Sequence, residues 1–126
     1  MGVVYKRLGD NENALEFYYE SLEYNKNYHF TYLNISAIYI EEKEYKRSID
    51  ILTKGISENP YAEDLYYNRA CCYAILEKSE LAIKDIRKSL LLNPSIIFWV
   101  ERDKDFKSLY DNREFKNILK EYSLKK

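Results

Sequence analysis

The chain has 126 residues, with 20 Lys and Arg against 21 Asp and Glu, 14 Tyr and only 3 Gly. That length suits one unit rather than two ordinary domains, and 46% hydrophobic residues with 16% aromatics argue against disorder. Three glycines leave little for hairpin turns, which disfavours an all-β fold, and a net charge of -1 gives no field for gripping phosphates.

The opening Met1-Gly2-Val3-Val4-Tyr5-Lys6-Arg7 puts charges where a signal peptide needs its apolar core. No run of about 18 apolar residues offers a membrane span. A cytoplasmic location is the expectation for the chain as it stands, and a parent protein that is exported would overturn it. Cys71 and Cys72 are adjacent, and adjacent side chains on a helix diverge by about 100°. They are expected to be reduced, buried thiols rather than a disulfide or a zinc pair.

A 34-residue period runs through the chain. It carries Tyr5, Tyr39 and Tyr73; Ala14, Ser48 and Ala82; Leu15, Ile49 and Ile83; and Tyr18, Leu52 and Ile86. Ser21, Gly55 and Ser89 keep the same interval, as do Asn25, Asn59 and Asn93, and Tyr32 pairs with Tyr66. Small residues recur at small positions and bulky ones at bulky positions, which marks a solenoid whose units bury their apolar faces by stacking.

In chain order, the first copy turns at Leu8-Gly9-Asp10-Asn11, where Gly9 is free to take a left-handed conformation. In the second copy, Tyr32, Ile35, Ile38 and Tyr39 form an amphipathic stripe that predicts a helix from about His29 to Glu41. Glu42-Lys43-Glu44 breaks it, and Tyr45, Ser48, Ile49, Leu52 and Ile56 form a second stripe. Asn59-Pro60 stops that stripe, since proline donates no hydrogen bond and disfavours helix in the residue before it. The third copy repeats the plan and stops at Asn93-Pro94. Ala70, Ala82, Ala14, Ser36 and Ser48 are expected where paired helices approach closely, and the periodic tyrosines in the wider gaps between hairpins.

Helical hairpins of this period, with these aromatic and small positions and a closing proline, resemble the tetratricopeptide repeat family. The third copy carries Tyr66, Ala70, Tyr73, Ala82, Ile86, Ser89 and Pro94, and the second carries Tyr32, Ser36, Tyr39, Ser48, Leu52, Gly55 and Pro60. Tyrosine stands where the family favours tryptophan, Arg69 occupies a leucine slot, and Lys26 replaces the first proline. The resemblance implies an all-α fold, a right-handed superhelix of helix-turn-helix repeats with about seven helices. Its expected units are a truncated repeat at 1–28, repeats at 29–62 and 63–96, and a C-terminal helical cap at 97–126. The cap is similar to the closing segment of bacterial arrays, with Phe106, Leu109, Phe115, Ile118 and Leu119 inward and Lys107, Lys116, Lys120, Lys125 and Lys126 in water. Trp99 and Val100 lie near the aromatic slot of a degenerate fourth repeat. Because the first copy lacks its opening residues, the chain reads as the tail of a longer array.

No catalytic pattern emerges, and neither an enzyme nor a cofactor is expected. His29 is the sole histidine, and no serine or cysteine is paired to it by pattern. The three glycines are scattered, so no phosphate loop forms. Glu41, Glu42 and Glu44, like Asp103 and Asp105, lack calcium-loop spacing and read as solvated turns, not a metal site.

The family instead implies a protein-interaction adaptor whose first helices line a concave groove for a peptide or partner helix. Phe30, Leu33, Asn34, Ala37, Ile40 and Glu41 would line it in the second copy. Asp64, Tyr67, Asn68, Cys71 and Ile75 would follow in the third, with Phe98, Glu101, Arg102 and Asp105 from the last. Asn34 and Asn68, 34 apart, suit hydrogen bonding to a ligand backbone. The family's clamp for acidic chaperone tails is incomplete in either register. With the second copy as its first unit, Asn68 and Arg102 match but Leu33, Ala37 and Phe98 occupy its other polar places, and with the first copy in that role Asp64 stands where a lysine is needed. Tight binding of such tails is not expected, nor is nucleic acid. The alternative is a rigid spacer or self-association module with an empty groove. Residues 1–28 carry 3 positive and 5 negative groups while residues 97–126 carry 8 and 6, which would favour weak head-to-tail stacking through the truncated N-terminal edge.

Overall fold

Seven α-helices and two 3-10 segments follow one another in the computed structural model, which describes residues 10–123, with no strand among them. The helices are α1 (Asn11–Tyr24), α2 (His29–Glu41), α3 (Tyr45–Glu58), α4 (Glu63–Ile75), α5 (Ser79–Leu92), α6 (Ile97–Val100) and α7 (Arg113–Ser123). The 3-10 segments are Pro94–Ile96 and Lys104–Leu109. The α2 helix occupies the residues its apolar stripe predicts, and α3 and α5 both end at the Asn-Pro steps. The expectations for Gly9 and Tyr5 lie outside the described residues.

Within each hairpin the small residues let two backbones meet. Ser36, Ser48, Ala70 and Ala82 are fully buried at these crossings. Burying a hydroxyl requires a partner. Ser48 Oγ donates to the Ser36 carbonyl at 3.4 Å and Ser36 Oγ to the Leu33 carbonyl at 2.9 Å. Ser89 Oγ reaches across to the Glu63 carbonyl at 2.9 Å, tying α5 to the first turn of α4.

The tyrosines in the family's tryptophan slot do more than fill space. Tyr32 donates its hydroxyl to the Lys26 carbonyl at 2.8 Å, and Tyr66 to the Pro60 carbonyl at 3.0 Å. Each ring is buried while its polar tip fastens the preceding inter-repeat turn, six residues upstream. Lys26 serves as well as Pro60 there because the accepting group is a backbone carbonyl, which every residue has.

The turns inside the hairpins repeat a backbone conformation that side chains disfavour. Lys43 and Glu77 both have φ of 60°. The amide of each bonds back, Lys43 to Ile40 and Glu77 to Ala74, while Glu44 and Lys78 reach the carbonyls of Tyr39 and Tyr73. These contacts close the first helix of each hairpin, at roughly 1–2 kcal/mol per left-handed non-glycine residue. Lys43→Gly and Glu77→Gly should therefore each stabilise the chain by about 0.5–1 kcal/mol once the extra freedom of glycine in the unfolded chain is deducted. A rise in the denaturant midpoint at unchanged slope is the expected reading, and a fall would show that the lysine or glutamate side chain contributes more than the strain.

Among the described residues, most of the buried apolar side chains gather in two clusters. Tyr32, Ile35, Tyr39, Ile51, Leu52 and Leu65 pack the second copy against the start of the third. The other cluster joins the third copy to the closing segment, with Ala70, Ala74, Ile83, Ile86 and Leu90 meeting Phe106, Leu109, Phe115 and Ile118. Lys107, Lys116 and Lys120 lie exposed on the outer side, and Lys125 and Lys126 fall outside the described residues. The 3-10 segment is seated by Ser108 Oγ, which donates to the Ala74 carbonyl at 2.7 Å. No helix among the described residues is long and apolar enough to cross a membrane.

Candidate partner-binding groove

The first helices of successive units, α2, α4 and α6, carry the expected groove residues. On α2, Phe30, Asn34, Ala37 and Glu41 are exposed and follow one another at spacings of three and four, a single helix face. Leu33 and Ile40 flank that face half-buried. On α4, Asp64, Tyr67, Asn68 and Ile75 are half-buried. The two faces meet where His29 Nε2 lies 3.4 Å from Asp64 Oδ2, with the Phe30 ring against the imidazole at 4.2 Å between centroids.

The sequence reading places Cys71 in the groove, but its residue is only 5% exposed. The turn after α6 folds back over α4 and covers it, with Cys71 Sγ 3.9 Å from Asp103 Oδ2. Burial, reinforced by the Asp103 and Asp105 carboxylates, pushes the thiol far above its ordinary pKa and keeps it protonated. Cys72 is buried as well, both thiols are free, and Cys72 Sγ approaches Ser48 Oγ at 3.5 Å.

Asp103 is also not the solvated turn residue it resembles in the sequence. Tyr67 donates its hydroxyl to Asp103 Oδ2 at 2.6 Å, and Asp103 Oδ1 accepts the Asp105 amide at 2.9 Å, capping the 3-10 segment. Desolvation and this bond to a carboxylate raise the Tyr67 pKa well beyond the usual tyrosine range. Asp105 is raised too, by desolvation first and then by Asp103. Cys71, Asp103 and Asp105 bring ligand-type atoms within 4.8 Å of one another, and the bonds just described account for that gathering.

Arg102 is exposed and occupied on its own segment. Its guanidinium lies over the Phe98 ring at 3.8 Å, donates to the Phe98 carbonyl at 2.7 Å and pairs with Glu101 at 3.1 Å. Of the residues that converge on α4, Asp64 and Tyr67 are among those the sequence offers for the groove, whereas Glu63, Ile96, Trp99 and Asp103 are not. Glu63, Asp64, Tyr67, Ile96, Trp99 and Asp103 line an open cleft of about 280 Å³ between α4 and α6. Val100, 34 residues after Tyr66, takes the buried slot, so Trp99 is rotated about 100° around the helix and is 61% exposed. That one-residue offset was the available signal.

Comparison with known proteins bears directly on this arrangement. A tetratricopeptide repeat family model matches residues 63–96, and a second one matches residues 1–28 and 31–61. The chain belongs to the tetratricopeptide repeat family. It is 29% identical over 77 residues to tetratricopeptide repeat protein 6 of Homo sapiens, covering 61% of this chain and 15% of that protein. It is 28% identical over 117 residues to serine/threonine-protein phosphatase 5 of Rattus norvegicus, covering 93% of this chain and 22% of that one. The chain thus spans less than a quarter of the length of these relatives, and the phosphatase match lies in its repeat region, outside the catalytic domain. Among solved structures, a MamA RS-1 ArsTM double mutant superposes with a TM-score of 0.63 at 21% identity, over 94% of this chain and 69% of that one. A crystal structure of MamA gives 0.53 at 19% identity, over 95% and 89%. These likenesses establish an all-α superhelical repeat fold. Tetratricopeptide repeats are interaction modules that bind protein partners, and the fold is typically non-catalytic.

Proposed function

We propose that the chain is an adaptor that binds a peptide or a partner helix along α2 and α4. The observation that carries this reading is the row Phe30, Asn34, Ala37 and Glu41, exposed on one face of α2 and continued on α4 by Asp64, Tyr67 and Asn68. Such a surface offers aromatic anchors, backbone-type hydrogen bonding and a polar edge, the combination an extended or helical ligand needs. Leu33 and Ile40 flank the row half-buried, and Ile75 is half-buried near the end of α4. Cys71 is buried on α4 and adds no open surface to the row, and Arg102 is exposed just after α6.

A random peptide library selected on the intact chain tests the reading. Enriched peptides should lose about tenfold or more in affinity to Asn34→Ala/Asn68→Ala, the loss of one or two good hydrogen bonds. That variant should keep its helical circular dichroism, because both asparagines lie outside the buried clusters. Failure to enrich any peptide, together with concentration-dependent self-association in light scattering, would favour the spacer or self-association reading instead.

A further inference from the structure

We infer that the cleft between α4 and α6 is a receptor for an arginine side chain of the protein partner; this deepens the groove reading and rests on it. Three carboxylate residues, Glu63, Asp64 and Asp103, line the cleft together with the rings of Tyr67 and Trp99 and the aliphatic Ile96. No cationic residue lines it. The nearby guanidinium of Arg102 is held over Phe98 and by Glu101.

The carboxylates differ in what they can still accept. Asp103 uses one oxygen for the Tyr67 hydroxyl and the other for the Asp105 amide, so it contributes charge at a fixed position. Asp64 has one oxygen beside His29, while its Oδ1 is buried with no hydrogen-bond partner among the described residues. The side chain as a whole is 37% exposed, so Oδ1 is an unfilled acceptor at the edge of the cleft. The terminal carboxylate torsion is soft, so that oxygen can turn toward a donor entering the cleft.

Trp99 supplies the remaining element. It is the only tryptophan of the chain, and most of its surface is open to solvent. Phe98 meets it edge-on at 5.0 Å with planes at 86°, an arrangement that steadies the indole. An indole face beside carboxylates suits a planar cation that stacks and donates at once. Guanidinium does both, whereas an ammonium is a strongly hydrated point charge. The same charges exclude acidic tails, in keeping with Asp64 standing where the acid-binding clamp needs a lysine in one register.

The probes are the blocked tripeptide acetyl-Gly-Arg-Gly-amide and its citrulline counterpart, which keeps the shape and removes the charge. The Arg peptide should change Trp99 emission saturably and shift the amide resonances of residues 63–67 and 96–103. The citrulline peptide should bind at least about tenfold more weakly, as should the Arg peptide to Asp64→Asn. Trp99→Leu, followed by the amide shifts, should also weaken binding; the exposed indole is no part of the core, so its folding is not at stake. Equal binding of both peptides, or shifts that bypass the cleft, would overturn the assignment. Library peptides that depend on Asn34 and Asn68 but ignore Asp64→Asn would overturn it too, while leaving the groove reading intact.

Discussion

Arg69→Ala should destabilise the chain by about 3–5 kcal/mol, the typical loss when one partner of a buried ion pair is removed. Arg69 Nε donates to Asp85 Oδ2 at 2.7 Å and Nη2 to Oδ1 at 2.9 Å, a two-pronged pairing across the α4–α5 hairpin. The side chains are only 17% and 4% exposed, so solvent screens the pair little. Nη1 also donates to Thr53 Oγ1 at 3.0 Å on α3, and the guanidinium lies within about 6 Å of the Tyr66 and Tyr73 rings (6.0 and 5.8 Å). The bond to Asp85 is also the chief influence raising the Arg69 pKa.

Truncation at Arg69 leaves the Asp85 carboxylate buried and unpaired, and that penalty makes up most of the loss. Replacing both partners, as in Arg69→Met/Asp85→Leu, should recover most of it, because apolar groups of similar size fill the space without a desolvated charge. Urea unfolding of the two variants beside the parent chain checks the claim. A single variant that loses under 1 kcal/mol would show that water reaches Asp85 readily.

Gly55→Ala is the second large effect, and its sign opposes local propensity. Alanine in a helix interior is normally better than glycine by about 1 kcal/mol. Here a Cβ at Gly55 would stand 2.7 Å from Tyr32 Cγ and 2.9 Å from Tyr32 Cβ. Those atoms sit next to the backbone of α2, so they cannot swing aside as the end of a flexible chain could. The helices must part, or Tyr32 must abandon its hydroxyl bond to the Lys26 carbonyl. Overpacking of this kind typically costs about 1–3 kcal/mol, so net destabilisation by about 1–2 kcal/mol is expected. A thermal midpoint lower by several degrees is the reading that agrees. An unchanged or higher midpoint would mean that the hairpin opens at little cost.

These two sites show where the sequence was legible. Gly55 sits in a periodic series with Ser21 and Ser89, so its smallness is visible from spacing alone. What it is small for, the flank of Tyr32, is not. Arg69 reads as a departure from a leucine slot, since nothing local to it names Asp85, 16 residues away across a turn. The groove divides similarly. The spacing of Phe30, Asn34, Ala37 and Glu41 finds the exposed face of α2 without coordinates. The burial of Cys71 agrees with its reading as a buried thiol and not with its groove assignment, because the segment that covers it follows α6 and leaves the period, so that spacing no longer says where that segment lies.

The sequence by itself determined the helices, their stops and the stacking of repeats. All three follow from a 34-residue pattern of small, aromatic and apolar positions, and local sterics and burial act on them wherever the chain lies. Only the tertiary structure decided how the closing segment folds over α4, burying Cys71, engaging Asp103 and setting Trp99 beside Asp64. That outcome depends on contacts between residues some 32–36 positions apart, Cys71 and Tyr67 with Asp103, in a stretch without a repeating pattern.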